Sequence, residues 1–176
     1  IDRLRKMASV AALARQTLDK APGDNELVAT ATAAVAWVDG ERASVALLRA
    51  DASIAEAIFG TLSQKTPTLF FISLGGAEVY LSYDKSGRCR GMYVVGSVGT
   101  RTTPAEAGGA SLGMRVLRSD AWPPERLLSQ AVGHSAAIKK PKSGASSSSW
   151  NERSTAVVAR WHDDELVELR IGDAKP

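Results

Sequence analysis

The sequence has almost no cysteine, and this excludes several classes of protein. Its one cysteine is Cys89. A single thiol cannot form an internal disulfide, a CxxC redox pair or a thiolate zinc site. A secreted domain built on disulfides is therefore excluded. We expect a reducing compartment, either the cytoplasm or an organelle matrix such as that of mitochondria.

Long apolar runs are also missing. The longest stretch that is almost free of charge, 27–38, is too short and too rich in Ala and Thr to cross a bilayer. We therefore expect a soluble chain without a membrane span. Because the sequence starts at Ile1 and is mildly basic, we expect either trimming after import into an organelle or a cloned fragment.

The overall composition indicates one folded domain. The chain has 176 residues, of which 44% are hydrophobic and 23% charged, and this is enough to bury a core. The net charge of +3 permits contact with nucleic acid or an anionic surface without implying either. A solvated basic surface is the simpler interpretation.

Two helices are predicted in the first 40 residues. Residues 1–20 read as an amphipathic helix, since apolar residues recur at helical spacing from Leu4 to Leu18. Residues 25–38 are ambiguous, because their alanines favour helix and their Val and Thr favour strand. We favour the helix, with Gly40 as its cap and a strand over Ala43–Leu48. The strand alternative makes Asp39-Gly40 a hairpin turn.

The central and C-terminal regions predict a sheet with further helices. A helix over 53–63 has Ser53 and Glu56 as a capping box. A meander of strands follows, another helix starts at Pro123-Pro124, and a terminal hairpin closes the chain. The strands are predicted at 68–73, 77–83, 89–95, 114–117, 155–161 and 166–171.

These elements predict an α+β fold, with a mostly antiparallel sheet of about five strands and two or three packing helices. The domain organisation divides the chain into four parts. They are an N-terminal helix at 1–20, a core domain at 25–135, a Lys- and Ser-rich linker at 136–149, and a hairpin extension at 150–176.

Residues 25–84 resemble part of the thioredoxin fold. The order of elements is similar, and Thr66-Pro67-Thr68 at the start of the strand LFFIS resembles the proline motif of that family. The resemblance implies a strand over ERASVALLRAD and a cis peptide bond before Pro67. The CxxC of the family is missing, so the resemblance implies a redox-silent binding or assembly module.

Candidate catalytic residues are few. Cys89 lies between Arg88 and Arg90, which would favour its thiolate, and His134 or His162 are the available bases. Ser135 beside His134 is a further candidate nucleophile. A lone cysteine at the start of a strand is more often a small apolar filler, and a histidine at a helix end is more often structural.

We expect no cofactor and no metal site. His162 is followed by three acidic residues, but consecutive residues in a turn do not converge on one ion. The glycine clusters match no phosphate-binding loop.

Two segments of the sequence weakly resemble the motifs of RNA-recognition domains. LFFISL and RGMYVV resemble the two strand motifs that carry stacking aromatics in those domains. The gap between them is too short for that fold, and their aromatic positions are expected to be out of register.

The leading hypothesis is a non-catalytic accessory subunit that binds other protein subunits. The alternatives are a thiol-dependent enzyme using Cys89 and a weak RNA-binding module. If exposed, the tryptophans are candidate interface anchors, and the linker lysines are candidate contacts to a partner or to phosphate. The predicted partner-binding residues are Trp122, Trp150, Trp161, Lys139, Lys140 and Lys142.

Overall fold

The computed structural model describes residues 2–20, 23, 25–43, 45–96, 117 and 121–174. Within these ranges the chain forms four helices and one seven-stranded sheet, with the strand order β1-β2-β3-β4-β7-β6-β5. The α+β class is confirmed, although helices and strands are both more numerous than expected. The helices are α1 (Asp2–Lys20), α2 (Asn25–Ala43), α3 (Ala52–Phe59) and α4 (Pro124–Val132). The strands are β1 (Ser63–Thr66), β2 (Leu69–Leu74), β3 (Ala77–Tyr83), β4 (Cys89–Gly96), β5 (Ser147–Glu152), β6 (Thr155–His162) and β7 (Glu165–Gly172).

Helices α1 and α2 form an antiparallel pair, and α1 also packs on α3. Among the side chains described in this region, those of Ala11, Ala14 and Ala31 are buried. Small side chains at these positions let helix backbones approach closely. None of the described helices is long and apolar enough to cross a bilayer.

The helical interpretation of 25–38 is confirmed, but the predicted cap at Gly40 and strand over Ala43–Leu48 are wrong. Helix α2 continues through Gly40 to Ala43. Good helix formers follow the glycine and offset its cost of about 1 kcal/mol. Residues 45–50 contain no strand. Instead, the backbone N–H groups of Leu47 and Leu48 donate to carbonyls at the end of α4, each at 3.1 Å.

Helix α3 begins at a different residue from the one predicted. Asp51 is the N-cap, and its carboxylate accepts a hydrogen bond from the backbone N–H of Ser53 at 3.0 Å. The expected capping box of Ser53 and Glu56 is therefore wrong. The helix ends at Phe59 because Gly60 adopts φ of +100°, a conformation that glycine tolerates best. The chain then enters β1, which the sequence did not indicate.

The sheet consists of two meanders, β1–β4 and β5–β7, joined where β4 pairs with β7. Every neighbouring pair is antiparallel. The terminal hairpin is therefore not an appended extension, because β7 pairs with β4, the central strand of the sheet. The end of the predicted linker is also corrected, since Ser147 to Ser149 belong to β5.

The core lies between one face of the sheet and helices α3 and α4. Alternate strand residues point into it, and they pack against Ile58, Leu127 and Leu128 of the helices. The strand residues of this helix-covered face include Val79, Leu81, Met92, Val94, Leu169 and Ile171. The residues between them point to the opposite side, which we call the open face because none of the described helices packs there.

The resemblance to thioredoxin stays a prediction, but two of its particulars are wrong. The expected strand over ERASVALLRAD is absent from the residues that are described there. No described peptide bond is cis, and Pro67 lies in the turn between β1 and β2. The strand is absent because α2 extends to Ala43 and the backbone of Leu47 and Leu48 bonds to the end of α4 instead. The predicted strand at 114–117 falls outside the described residues, apart from Leu117.

Candidate binding surface on the open sheet face

Cys89 is buried at the start of β4. Burial raises the pKa of its thiol to about 11. The flanking residues Arg88 and Arg90 are exposed, and the polar neighbour of the sulfur is the carbonyl oxygen of Gly91, 3.7 Å away. Little thiolate forms at neutral pH in such a site, so the geometry does not favour a thiol-dependent enzyme.

His134 has a structural position just after Gly133, the residue that ends α4. Its Nε2 lies 3.0 Å from the Oε1 atom of Glu152 on β5, and its Nδ1 lies 3.3 Å from the carbonyl oxygen of Val132. The hydrogen bond from His134 lowers the pKa of the Glu152 carboxyl. His134 therefore ties the end of α4 to β5, and Ser135 beside it is exposed.

His162 is the last residue of β6, and it is exposed beside the turn into β7. Its Nδ1 is 3.1 Å from Oδ2 of Asp163, and both side chains are largely exposed. In the described ranges, no group of three or more His, Cys, Asp or Glu residues is arranged to hold a metal ion.

The three tryptophans expected to be interface anchors are half-buried and pack against the core. The Trp122 ring meets Phe59 edge-on at 4.9 Å, and the Arg126 guanidinium lies 4.1 Å from its centroid. Trp150 and Trp161 lie on the helix-covered side of β5 and β6. Their positions indicate that these rings mainly close the edge of the core.

The linker lysines are all exposed. Lys139, Lys140 and Lys142 precede β5. The Nζ atom of Lys139 lies 5.9 Å from the centroid of the Trp150 ring. The hydroxyl of Ser148 on β5 donates to the Lys139 carbonyl at 2.5 Å. This contact holds the basic segment beside the edge of the sheet.

The open face carries a row of aromatic side chains that crosses the middle of the sheet. Phe71 on β2 is paired with Tyr80 on β3, Tyr80 with Tyr93 on β4, and Tyr93 with Arg170 on β7. The ring centroids are 5.1 Å apart for Phe71 and Tyr80, and 6.0 Å apart for Tyr80 and Tyr93. These spacings are typical of interacting aromatic rings.

A cation lies near each end of this aromatic row. Lys65 Nζ is 4.7 Å from the centroid of Phe71 and 4.6 Å from that of Tyr80, and it donates to the Tyr80 hydroxyl at 3.2 Å. The Arg170 guanidinium lies 5.1 Å from the centroid of Tyr93. All three distances from a cation to a ring centroid are within the range of a cation–π interaction. We call these residues the open-face cluster: Lys65, Phe71, Tyr80, Tyr93 and Arg170.

Two carboxylates make the charge of the open face mixed. The Tyr80 hydroxyl donates to Glu78 at 3.2 Å. Glu168 accepts from Nε of Arg170 at 2.7 Å and forms an ion pair with Arg160 at 3.5 Å. Burial, and then the charge of Glu168, raises the pKa of Tyr93, while the hydrogen bond to Glu168 raises the pKa of Arg170. Tyr93 is therefore a neutral hydroxyl and Arg170 a fixed cation.

Sequence reasoning missed this cluster although part of the signal was visible. The apolar run TLFFIS at 68–73 is typical of a buried central strand, yet Phe71 points to the open face, where it pairs with Tyr80. Tyr80 was placed on the polar side of an alternating strand, which is correct. LFFISL and RGMYVV are not neighbouring strands, because β3 lies between them and places Tyr80 between Phe71 and Tyr93. The alternation of apolar and polar residues in β3 was therefore the sequence signal for the position of Tyr80 on this face.

Comparison with known proteins adds no relative: no family model, no curated protein and no solved structure matches the chain.

Proposed function

We propose that this chain is a non-catalytic protein-interaction module, an accessory subunit of a larger assembly, and that it binds a partner protein through the open-face cluster. One observation carries the proposal. Three aromatic rings and two cations lie together on a sheet face where none of the described helices packs. Tyr and Arg are enriched in protein interfaces and in their energetic hot spots.

The mixed charge of the open face favours a protein partner over nucleic acid. Glu78 and Glu168 lie among the cations and would repel a phosphate backbone, while a protein surface can present both signs of charge. The cluster is also held in place before binding by its own contacts. A partner would therefore lose little side-chain entropy in ordering it.

The test compares substitutions at two positions of the open face, one inside the open-face cluster and one beside it. Tyr93→Ser removes a ring from the cluster, and Val158→Ser is the matched control, because Val158 is also half-buried and pairs with Arg170. Each tagged chain is expressed in its native cell and size-fractionated in a gentle extract, with thermal unfolding as a check of folding. We expect wild type and Val158→Ser to migrate with a large assembly. Tyr93→Ser should migrate near the free mass of 18.6 kDa. A free wild-type chain, or a folded Tyr93→Ser chain that remains in the assembly, would contradict the proposal.

A second candidate is binding of single-stranded RNA on the same cluster. The observation in its favour is the row of rings with a cation at each end, since stacking of a base on an aromatic side chain contributes about 1–3 kcal/mol. A labelled oligonucleotide separates this candidate from the first. Binding that persists at moderate salt and is lost in Tyr93→Ser would indicate stacking. Binding that disappears with salt in both chains would be only electrostatic.

A further inference from the structure

The two edges of the sheet differ in how well they resist the addition of another strand. At one edge, β1 is four residues long, its register with β2 slips between Gln64 and Thr66, and Pro67 follows it. Lys65 also lies within this strand. A short strand, an irregular register, a lysine and a nearby proline all hinder edge-to-edge pairing. The β1 edge is therefore protected.

The opposite edge has none of these features. Strand β5 is six residues long, and its register with β6 is unbroken from Ser147 to Glu152. It contains no proline and no lysine. Its one charged residue, Glu152, is the last in the strand and is bonded to His134. A regular edge strand whose one charged side chain is at its end is a template for another chain.

One hydrogen bond shows which backbone N–H and C=O groups of β5 point away from β6. The N–H of Trp161 donates to the carbonyl of Ser146 at 2.8 Å, so these two residues form a hydrogen-bonded pair. Hydrogen-bonded and non-hydrogen-bonded pairs alternate in an antiparallel ladder. The N–H and C=O groups of Ser147, Ser149 and Asn151 therefore point away from β6. No backbone hydrogen bond to these three residues is found from other described parts of the chain.

The charge around this edge indicates what would bind there. Lys139, Lys140 and Lys142 are exposed beside β5, as are Arg153 after the strand and Arg160 on β6. Two carboxylates near this edge are engaged, Glu152 by His134 and Glu168 by Arg160 and Arg170. Asp163 and Asp164 lie in the exposed turn after β6, at the end of β5 that is farther from Glu152. The basic segment lies on the helix-covered side of β5, where Ser148 bonds to Lys139, so it leaves the outward backbone groups accessible.

We propose that β5 binds an extended acidic segment of a partner protein as an eighth strand of the sheet. The backbone of the segment pairs with Ser147, Ser149 and Asn151, and its carboxylates face Lys139, Lys140 and Lys142. Strand addition of this kind takes affinity from backbone hydrogen bonds and specificity from the side chains around the edge. This edge is separate from the open-face cluster, so the proposal does not depend on the function proposed above.

The probe is a fluorescein-labelled ten-residue peptide of alternating Glu and Val, titrated into the full chain and followed by fluorescence anisotropy. The decisive variant is Ser149→Pro. It removes an outward N–H without removing a bond to β6, so the fold is expected to be kept. Ser149→Thr is the matched control, because it keeps the N–H. We expect wild type and Ser149→Thr to bind equally, and Ser149→Pro to bind at least tenfold more weakly.

Three further measurements test the proposal if Ser149→Pro does not fold. A probe methylated on alternate backbone nitrogens, chosen to face β5, should bind wild type at least tenfold more weakly. The triple variant Lys139→Glu, Lys140→Glu, Lys142→Glu should lose binding to the Glu–Val probe, and a Lys–Val peptide should not bind wild type. Equal binding of the methylated and unmethylated probes would overturn the proposal.

Three other results would also overturn it. Loss of peptide binding in Tyr93→Ser would place the peptide on the open face. Concentration-dependent dimerisation of wild type that Ser149→Pro abolishes, without peptide binding, would make a second copy of the chain the occupant. Binding of a single-stranded oligonucleotide through the three lysines, without peptide binding, would make nucleic acid the ligand.

Discussion

The two faces of the sheet are built from the same strands, yet they differ in what their side chains can do. On the helix-covered face, Val94 and Leu169 are paired and fully buried. The neighbouring pair of the same two strands, Tyr93 and Arg170, lies on the open face and is only half-buried. The first pair stabilises the fold by removing apolar area from water, whereas the second keeps polar atoms available to a ligand. A substitution should therefore have a very different effect depending on the face.

The largest effect on stability is expected from a truncation on the helix-covered face. Leu169→Ala leaves a cavity in the core and should lower the free energy of unfolding by about 2–5 kcal/mol. Arg170→Ala, one residue away, removes a cation–π contact and an ion pair that are partly solvated, and should cost about 1 kcal/mol or less. Urea unfolding followed by circular dichroism measures both. If the two variants lost the same free energy of unfolding, the open face would contribute to the core as much as the helix-covered face does.

The reactivity of Cys89 measures how well the helix-covered face excludes solvent. Since burial raises the pKa of the thiol to about 11, the native chain at neutral pH holds roughly a hundredfold less thiolate than an ordinary exposed cysteine. Labelling with a thiol reagent should therefore be slow in the native protein and fast in denaturant. Fast labelling of the native chain at pH 7 would contradict the buried position and restore Cys89 as a candidate nucleophile.

A smaller but specific effect is expected at Gly91, where the chain after β7 crosses β4. A Cβ atom on this residue would overlap the backbone of Asp173 and Ala174. Gly91→Ala should therefore lower stability by about 1–3 kcal/mol, because backbone atoms cannot move aside as a side chain can. Gly23→Ala is the control, since a Cβ there has open space. Thermal unfolding compares the two, and a neutral Gly91→Ala would mean that the segment after β7 is easily displaced.

The smallest effect is expected at the pair that joins α4 to β5. His134 lowers the pKa of Glu152 in the folded chain, so the ionised carboxylate contributes stability at neutral pH. This contribution is present above the usual pKa of a glutamate and is lost as the pH falls through the lowered pKa of the folded state. In Glu152→Gln, stability should therefore fall less than in wild type as the pH is lowered. Glu56→Gln is the control, because Glu56 is exposed, and this variant should show the same pH dependence as wild type. The thermal midpoint measured from pH 6 to pH 3 checks both.

Much of the fold could be predicted because several elements carry local signals. Strand β3 follows its alternation of apolar and polar residues over the whole range predicted, and the terminal hairpin was found from its two apolar runs. Strand β5 was missed, because SSSWNE has no apolar alternation and resembles the linker before it. It is a strand because β6 provides a partner and because Trp150 covers the edge of the core.

The candidate site was harder to predict, because it depends on which strands become neighbours. Phe71, Tyr80 and Tyr93 are separate residues until the meander places them in one register. Arg170 joins them only because β7 pairs with β4, and nothing in the local sequence of either strand indicates this pairing. In the same way, the register of β5 with β6 decides which backbone groups of β5 point away from the sheet. The core could therefore be predicted from the composition of each strand, whereas the two proposed binding surfaces could not.

The pairing of β4 with β7 also has a consequence for the order of folding. Val94 and Leu169 are roughly 75 positions apart in the chain, whereas the other strand pairs are formed by hairpins. Hairpins close within microseconds, but a contact of such long range must first overcome a large loss of chain entropy. We expect the two meanders to form early and their junction to form last. Until it does, β4 and β7 are both unpaired apolar edges, and the newly made chain is most prone to aggregate at that stage.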